Sequence, residues 1–269
     1  MIIDIFLDSG AYSAFTQKKP IQIDDYIAFI RENEESITQY ASLDVINDGP
    51  ASYKNYMYMK NKGLNPIPVY HAETDVRYLK RYLKYSDYIA IGAISKMSTK
   101  ARVENLDHIW NDYLTDDEGF PLVKTHGFGL TTTMLMFRYP WFSVDSSTWL
   151  MTSRRGIIIL PRFKNDEPQF FAVPRRIEIS TKSSYLSDAD AHFTTLTGIE
   201  QRKIREYARS LGFEIGESLW EEDEEQIIVE GLCNSYKLRD RFNMHYFIGL
   251  EKSIPDYPWK FNKRPGLFT

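Results

Sequence analysis

Through the first 150 residues short apolar segments alternate with amphipathic stretches, and this alternation constrains the fold more than any other feature. Apolar runs at 2–7, 37–43, 66–70, 88–91, 122–125 and 141–144 have the length of strands. Segments 24–33, 50–63, 75–87 and 101–114 carry apolar residues near a 3.6-residue spacing, with Asp24, Ser52 and Thr74 near plausible helix starts. Such alternation builds βα units around a parallel sheet. The 269 residues match the roughly 250 of a β/α barrel. The predicted architecture is therefore a TIM-type (β/α)8 barrel, irregular in its last strands, with a C-terminal helical extension. Residues 1–185 are expected to form the catalytic core, including a basic hairpin-like segment at 156–180. Residues 186–269 are expected to form a helical region packed on it.

The residues just after each strand are more informative than the strands. Asp8, Ser9 and Gly10 come after the first, Asp44 after the second, His71 after the third and Gly92 with Ala93 after the fourth. His126, Gly127, Phe128 and Gly129 come after the fifth, and Asp145, Ser146 and Ser147 after the sixth. In a parallel barrel the C-terminal strand ends converge on one face, where catalytic groups sit. Three carboxylates, two histidines and several glycines are thus expected to meet. The alternative is that the carboxylates, with Ser9 and Ser52, merely cap the adjoining helices.

Beyond residue 150 the pattern changes. Segments 156–163 and 169–180 flank a polar turn and read either as a β-hairpin or as the last two barrel strands. Segment 197–213 reads as a helix ending near Gly212, and 221–252 as one long helix or two shorter ones. The Pro- and aromatic-rich tail from Pro255 reads as an irregular strap. The acidic run Glu221 to Glu225 reads as a helix N-terminal region or a solvated face.

Charge and cysteine content narrow the function classes. Lys and Arg number 33 against 37 Asp and Glu, a net charge of −4, which excludes a uniformly basic nucleic-acid coat. Locally, however, Arg154, Arg155, Arg162, Lys164, Arg175, Arg176 and Lys182 outnumber Asp166, Glu167 and Glu178. Phosphate binding needs such a patch rather than a basic protein; the alternative is an edge kept soluble by charge. Phe170, Phe171, Tyr185, Trp149 and Trp141 are candidate stacking platforms or wedges. Cys233 is the single cysteine, so no intramolecular disulfide and no zinc site needing two thiolates can form. No apolar stretch approaches the roughly 18 residues of a membrane span. The N-terminal run does not read as a signal peptide, so a cytoplasmic location and no membrane partner are expected.

Five segments together resemble a known family. Asp8-Ser9-Gly10-Ala11-Tyr12 is similar to the Asp-Ser-Gly-Gly-Phe/Tyr motif of the tRNA-guanine transglycosylases (queuine tRNA-ribosyltransferases), which exchange a guanine in a polynucleotide for a 7-deazaguanine base. Leu43-Asp44-Val45, Ile89-Ala90-Ile91-Gly92-Ala93 and His126-Gly127-Phe128-Gly129 come next, in the family's order. Val144-Asp145-Ser146-Ser147-Thr148-Trp149 resembles the archaeal Phe-Asp-Ser-Ala-Ser-Tyr, which holds the nucleophile. The resemblance covers approximately residues 5–150.

It implies that Asp145 attacks C1′ to form a covalent glycosyl intermediate, in the manner of retaining glycosidases. It implies that Asp8 is the second catalytic carboxylate, moving a proton to the departing or from the incoming base. Asp44 would accept from the N–H donors of the base. Ser9 and the small Gly92, Ala93 and Gly127 would line the base pocket, and Tyr12 and His126 would sandwich the ring. His71 stands where the family commonly has glutamine, and Ser13 replaces another. The family's cysteine-rich zinc site is ruled out by the cysteine count, and no archaeal-type RNA-binding domain fits. The zinc-free pattern resembles DNA-modifying relatives from bacteriophages and bacterial genomic islands, whose modified DNA resists restriction. The expected function is exchange of guanine in DNA for a preQ0-like base, with no metal or cofactor. The alternatives are the same exchange on tRNA and a catalytically silent member binding nucleic acid or a partner protein. The resemblance leaves a homodimer open and implies host cytoplasm if the chain is phage-encoded.

Overall fold

The computed structural model describes residues 5–92, 98–130, 132–182, 189–222 and 224–261. The fold class is mixed α/β with parallel sheets. The chain condenses into two compact units, one of residues 1–130, 138–145 and 256–269, the other of residues 131–137 and 146–255.

In the first unit six strands succeed one another in chain order. They are β1 (Ile5–Leu7), β2 (Ile37–Tyr40), β3 (Val69–His71), β4 (Tyr88–Gly92), β5 (Lys124–Gly127) and β6 (Ser143–Val144). β1 pairs with β2 and β3 through β6 pair in sequence, all parallel. A parallel bridge from Ala41 to Ile67 carries the order from β2 to β3. Among the described residues these pairings do not close a ring.

Helices alternate with these strands, as the 3.6-residue patterning predicts: α1 (Ala11–Gln17), α2 (Ile23–Glu32), α3 (Gly49–Asn61), α4 (Arg77–Tyr82) and α5 (Thr99–Ile109). The apolar stripe of α2, Tyr26, Ile27 and Ile30, packs with Leu43 and Met59. A second cluster joins Ala41, Ile67, Val69, Tyr88 and Ala90 with Phe6 and Phe128. β4 is buried along its whole length, as strands of a covered parallel sheet are. Trp141, expected in the sixth strand, lies before it instead, buried edge-on against Trp110 and Tyr139. The described part of the tail is the strap expected of it. The Phe261 amide donates to the Gly119 carbonyl at 2.8 Å, and its ring meets Tyr139.

The second unit contains α6 (Thr133–Arg138, up to Phe137), α7 (Thr148–Arg154), β7 (Ile157–Leu160), β8 (Arg162–Lys164), β9 (Glu167–Gln169), β10 (Arg175–Glu178) and β11 (Ala191–His192). It continues with α8 (Gly198–Ser210), β12 (Glu217–Glu221), β13 (Glu224–Val229) and α9 (Tyr236–Glu251). β7 and β10 run antiparallel, which selects the hairpin over two parallel barrel strands. Between them β8 and β9 form a smaller hairpin. Its two loop residues, Asn165 and Asp166, both have positive φ, the type I′ geometry that Asn and Asp tolerate. Asn243 of α9 is fully buried and pins β7, donating to the Ile157 carbonyl at 3.1 Å and accepting from the Ile159 amide at 2.8 Å.

The helical expectation fails at 221–229, where β12 and β13 form an antiparallel hairpin. A helix would set Glu221 and Glu225 one turn apart, a repulsive pair. In the hairpin Glu225 instead accepts from Thr181 at 2.7 Å and pairs with Lys182 at 3.1 Å, and Ile227, Ile228 and Val229 take the extended backbone they favour. The acidic run is thus part of a hairpin, with Glu221, Glu222 and Glu224 exposed. Among the described residues no helix is long and apolar enough to cross a membrane.

Candidate active site

The site is built from the ends of the six strands of the first unit. After β1, Gly10 adopts φ +73°, a left-handed conformation that turns the chain into α1. Ser9, 3% exposed, accepts from the Ala11 amide at 3.2 Å and donates to Oδ1 of Asp44 at 2.7 Å. It therefore both stabilises the helix start and grips the carboxylate at the next strand end.

Asp44 is buried, and its other oxygen, Oδ2, lies 2.7 Å from His71 Nε2. His71 Nδ1 accepts the backbone N–H of Asn47 at 3.3 Å, so the ring proton belongs on Nε2 and points to Asp44. Asn47 has φ +62°, which Asn tolerates better than most residues. α3 steadies the same loop, for Ser52 Oγ accepts from the Val45 amide at 2.9 Å and Asn55 donates to the Leu43 carbonyl at 2.9 Å. Ser52 does not start α3; that cap is Asp48, which accepts from the Ala51 amide. Gly92 is paired with His71 across β3 and β4, and a Cβ there would sit 3.1 Å from the His71 ring. Its small size makes room for the histidine. Ala93 lies outside the described residues.

Asp145 comes directly after β6 and is 50% exposed. Its Oδ1 accepts the backbone N–H of Gly129 at 2.7 Å, presented from a residue with φ +61°. Gly127, at the end of β5, is held small by Trp141, whose ring a Cβ would meet at 3.2 Å. Asp8 is open to solvent at its surface but flanked by protein. Loss of solvation, then the negative charges of Asp44 and Asp145, push its carboxyl above the ordinary 3.8, against the pull of the Ser9 and Gly10 amides. Lost solvation also raises Asp145, opposed by the Gly129 amide and its own. None of the three carboxylates acts as the side-chain cap of an adjoining helix: Gly10 and Ser147 occupy the N-cap positions of α1 and α7.

His126 departs from the sandwich expected of it. It is 3% exposed, and one ring face is stacked on Phe6 at 4.5 Å, with Phe128 edge-on at 4.6 Å. It is a wall residue rather than an open platform for a base. Tyr12, by contrast, is 56% exposed on the first turn of α1. Tyr88 and Ser143, which bond to one another, Ser143 also bonding to His126, carry no signal in the chain; their meeting depends on strand register.

In the second unit the basic segment is less positive in space than along the chain. Arg175 pairs with Glu200 at 3.2 Å, Lys182 with Glu225, and Arg162 Nε donates to the Val173 carbonyl at 3.0 Å. Arg154 and Lys164 are exposed. Arg155 and Arg176, with Ser147 and Thr148, line a cavity of about 210 Å³. Of the candidate wedges Trp141 is buried and Phe170 packs on Tyr246 and Gly249, whereas Phe171 is 64% exposed. Tyr185 lies outside the described residues. No family model matches this chain, and neither a curated protein nor a solved structure does.

Proposed function

We propose that the protein is a DNA-guanine transglycosylase on a (β/α)8 barrel, acting in the cytoplasm through an aspartyl-glycosyl intermediate. The observation that carries this reading is the convergence of Asp8, Asp44 and Asp145 on parallel strand ends, where lost solvation and then the charges of the other two favour the protonated form of Asp8. The chain-order run of six parallel strands supports the barrel.

In the first step an Asp145 carboxylate oxygen attacks C1′ of the target nucleotide and the bond from C1′ to the guanine nitrogen breaks. The electron pair leaves with guanine, which takes the Asp8 proton. In the second step the incoming 7-deazaguanine returns a proton to Asp8, its ring nitrogen bonds to C1′, and the ester bond breaks with its pair returning to Asp145. One glycosidic bond replaces another, so the balance calls for neither ATP nor a metal. Asp44, with both oxygens fixed by Ser9 and His71, offers its remaining lone pairs to the N–H donors of the base. Tyr12 supplies an open stacking face. A stacked guanine exposes no path to C1′, so the nucleotide is flipped out or taken from a single strand. Arg154, Lys164 and the Arg155–Arg176 cavity are the phosphate-binding candidates.

The test is incubation of the purified protein with radiolabelled guanine or 7-deazaguanine and duplex DNA, single-stranded DNA or tRNA, with Asp145→Asn as control. Label in DNA is the expected result. Label in tRNA alone replaces DNA with tRNA as substrate, and label in neither makes the protein a silent binding member.

A further inference from the structure

His126 is buried on β5, and its two ring nitrogens have unlike surroundings. Nδ1 lies 2.7 Å from Ser143 Oγ, which lies 2.6 Å from the Tyr88 hydroxyl. Nε2 has no hydrogen-bond partner among the described residues and lies 3.8 Å from Asp145 Oδ1. Buried polar atoms are satisfied as a rule, so an unpartnered one facing a reacting carboxylate calls for a reason. The ring cannot turn away, clamped as it is by Phe6 and Phe128.

We propose that His126 is a positioning residue for Asp145: the chain Tyr88 to Ser143 to His126 fixes a neutral imidazole whose Nε2–H is aimed at the Asp145 carboxylate. Tyr88 donates to Ser143 Oγ, Ser143 donates to Nδ1, and the single ring proton is left on Nε2. The opposite tautomer would turn a bare lone pair toward an anion, which is repulsive. At 3.8 Å the contact is electrostatic rather than a hydrogen bond. Burial supports the neutral ring, pushing its pKa down to about 4. The N–H dipole favours the ionised, nucleophilic form of Asp145 and the carboxylate released when the ester breaks. The other titratable groups bearing on the pair are Asp8, which feels Asp145, and Tyr88 on β4. No proton passes through His126 in this role.

The catalytic arm rests on the transglycosylase reading; the tautomer and titration arms do not. Imidazole 15N NMR of the full-length protein should show His126 protonated on Nε2 only from about pH 6 to 8, with that preference weakened in Ser143→Ala. A proton on Nδ1, or an imidazolium at neutral pH, would overturn the proposal. Titration of Asp145 by 13C carboxyl NMR should show its pKa rising by about half a pH unit in His126→Leu and returning in His126→Gln, which keeps an N–H donor. The acid limb of base exchange should move by the same amount. No exchange in the wild type together with the Asp145 shift would remove the transglycosylase reading and leave the positioning role standing. Exchange without any shift in His126→Leu would remove the positioning role alone.

Discussion

Two carboxylates at strand ends are held in opposite ways. Asp44 is buried, with Ser9 on one oxygen and His71 on the other. Asp145 is half exposed and gripped by the Gly129 amide, with a nearby histidine nitrogen that stops short of a hydrogen bond. A carboxylate whose oxygens are fixed by neutral donors is an oriented acceptor and a poor nucleophile. One that is accessible and lightly held keeps lone pairs for bond formation. The same side chain thus suits recognition in one place and reaction in the other, because of what surrounds it.

The largest expected effect separates the two on activity. Asp145→Asn should abolish base exchange and the covalent intermediate, seen as loss of the glycosyl-protein adduct by intact mass, while binding of the nucleic acid survives. Asp8→Asn should leave the nucleophile and nucleic-acid binding in place but slow both adduct formation and turnover by about 100- to 10,000-fold, the usual cost of losing a positioned proton donor or acceptor. Full exchange by either variant would end the role given to that residue.

Stability should reverse the ranking. Asp44→Ala leaves Ser9 and the His71 N–H buried without their partner and should cost on the order of 2–4 kcal/mol in urea unfolding. Asp145→Asn should cost less than about 1 kcal/mol, because its site is open to water. Equal losses would erase the distinction between a locked and a lightly held carboxylate.

The next expected effect lies in pH dependence. Burial depresses His126 in the folded state to about 4, against an ordinary value of 6.5. Between those values the unfolded chain binds the extra proton, so stability that is full above about pH 6.5 falls as the solution is acidified toward pH 4. The loss should be on the order of 3 kcal/mol, read from urea midpoints across that window, and His126→Gln should flatten it. An unchanged slope would place the acid sensitivity elsewhere.

The smallest effect concerns Asp8, whose raised carboxyl marks an ionised form that the fold disfavours. At neutral pH Asp8→Asn should therefore stabilise the protein, by less than about 1 kcal/mol because the side chain is open to solvent. The gain should vanish at a pH below the ordinary carboxylate value, where both states are protonated.

The order of strands and the residues at their ends are legible in the chain because apolar periodicity and polar punctuation are local properties. Asp8, Asp44, His71 and Asp145 stand out by that punctuation alone. The role of His126 does not, because its partners are set by pairing: His126 stands opposite Ser143 only in the register of β5 and β6, and Tyr88 reaches Ser143 from a third strand. Segment 221–229 eludes a sequence reading for a related reason. Its helix-like run of glutamates says nothing of Lys182 and Thr181, more than 40 residues from Glu225 in the chain, which hold Glu225 in the hairpin. The basic segment loses part of its excess charge in the same way, to Glu200 and Glu225.

By itself the sequence determined which side chains stand where strands end, since a period of two or 3.6 residues is written into neighbouring positions. Only the tertiary structure decided which nitrogen of His71 and of His126 faces a carboxylate and which carboxylate is held at both oxygens. Those outcomes depend on hydrogen bonds between residues far apart in the chain, and packing selects them only once the strands have met.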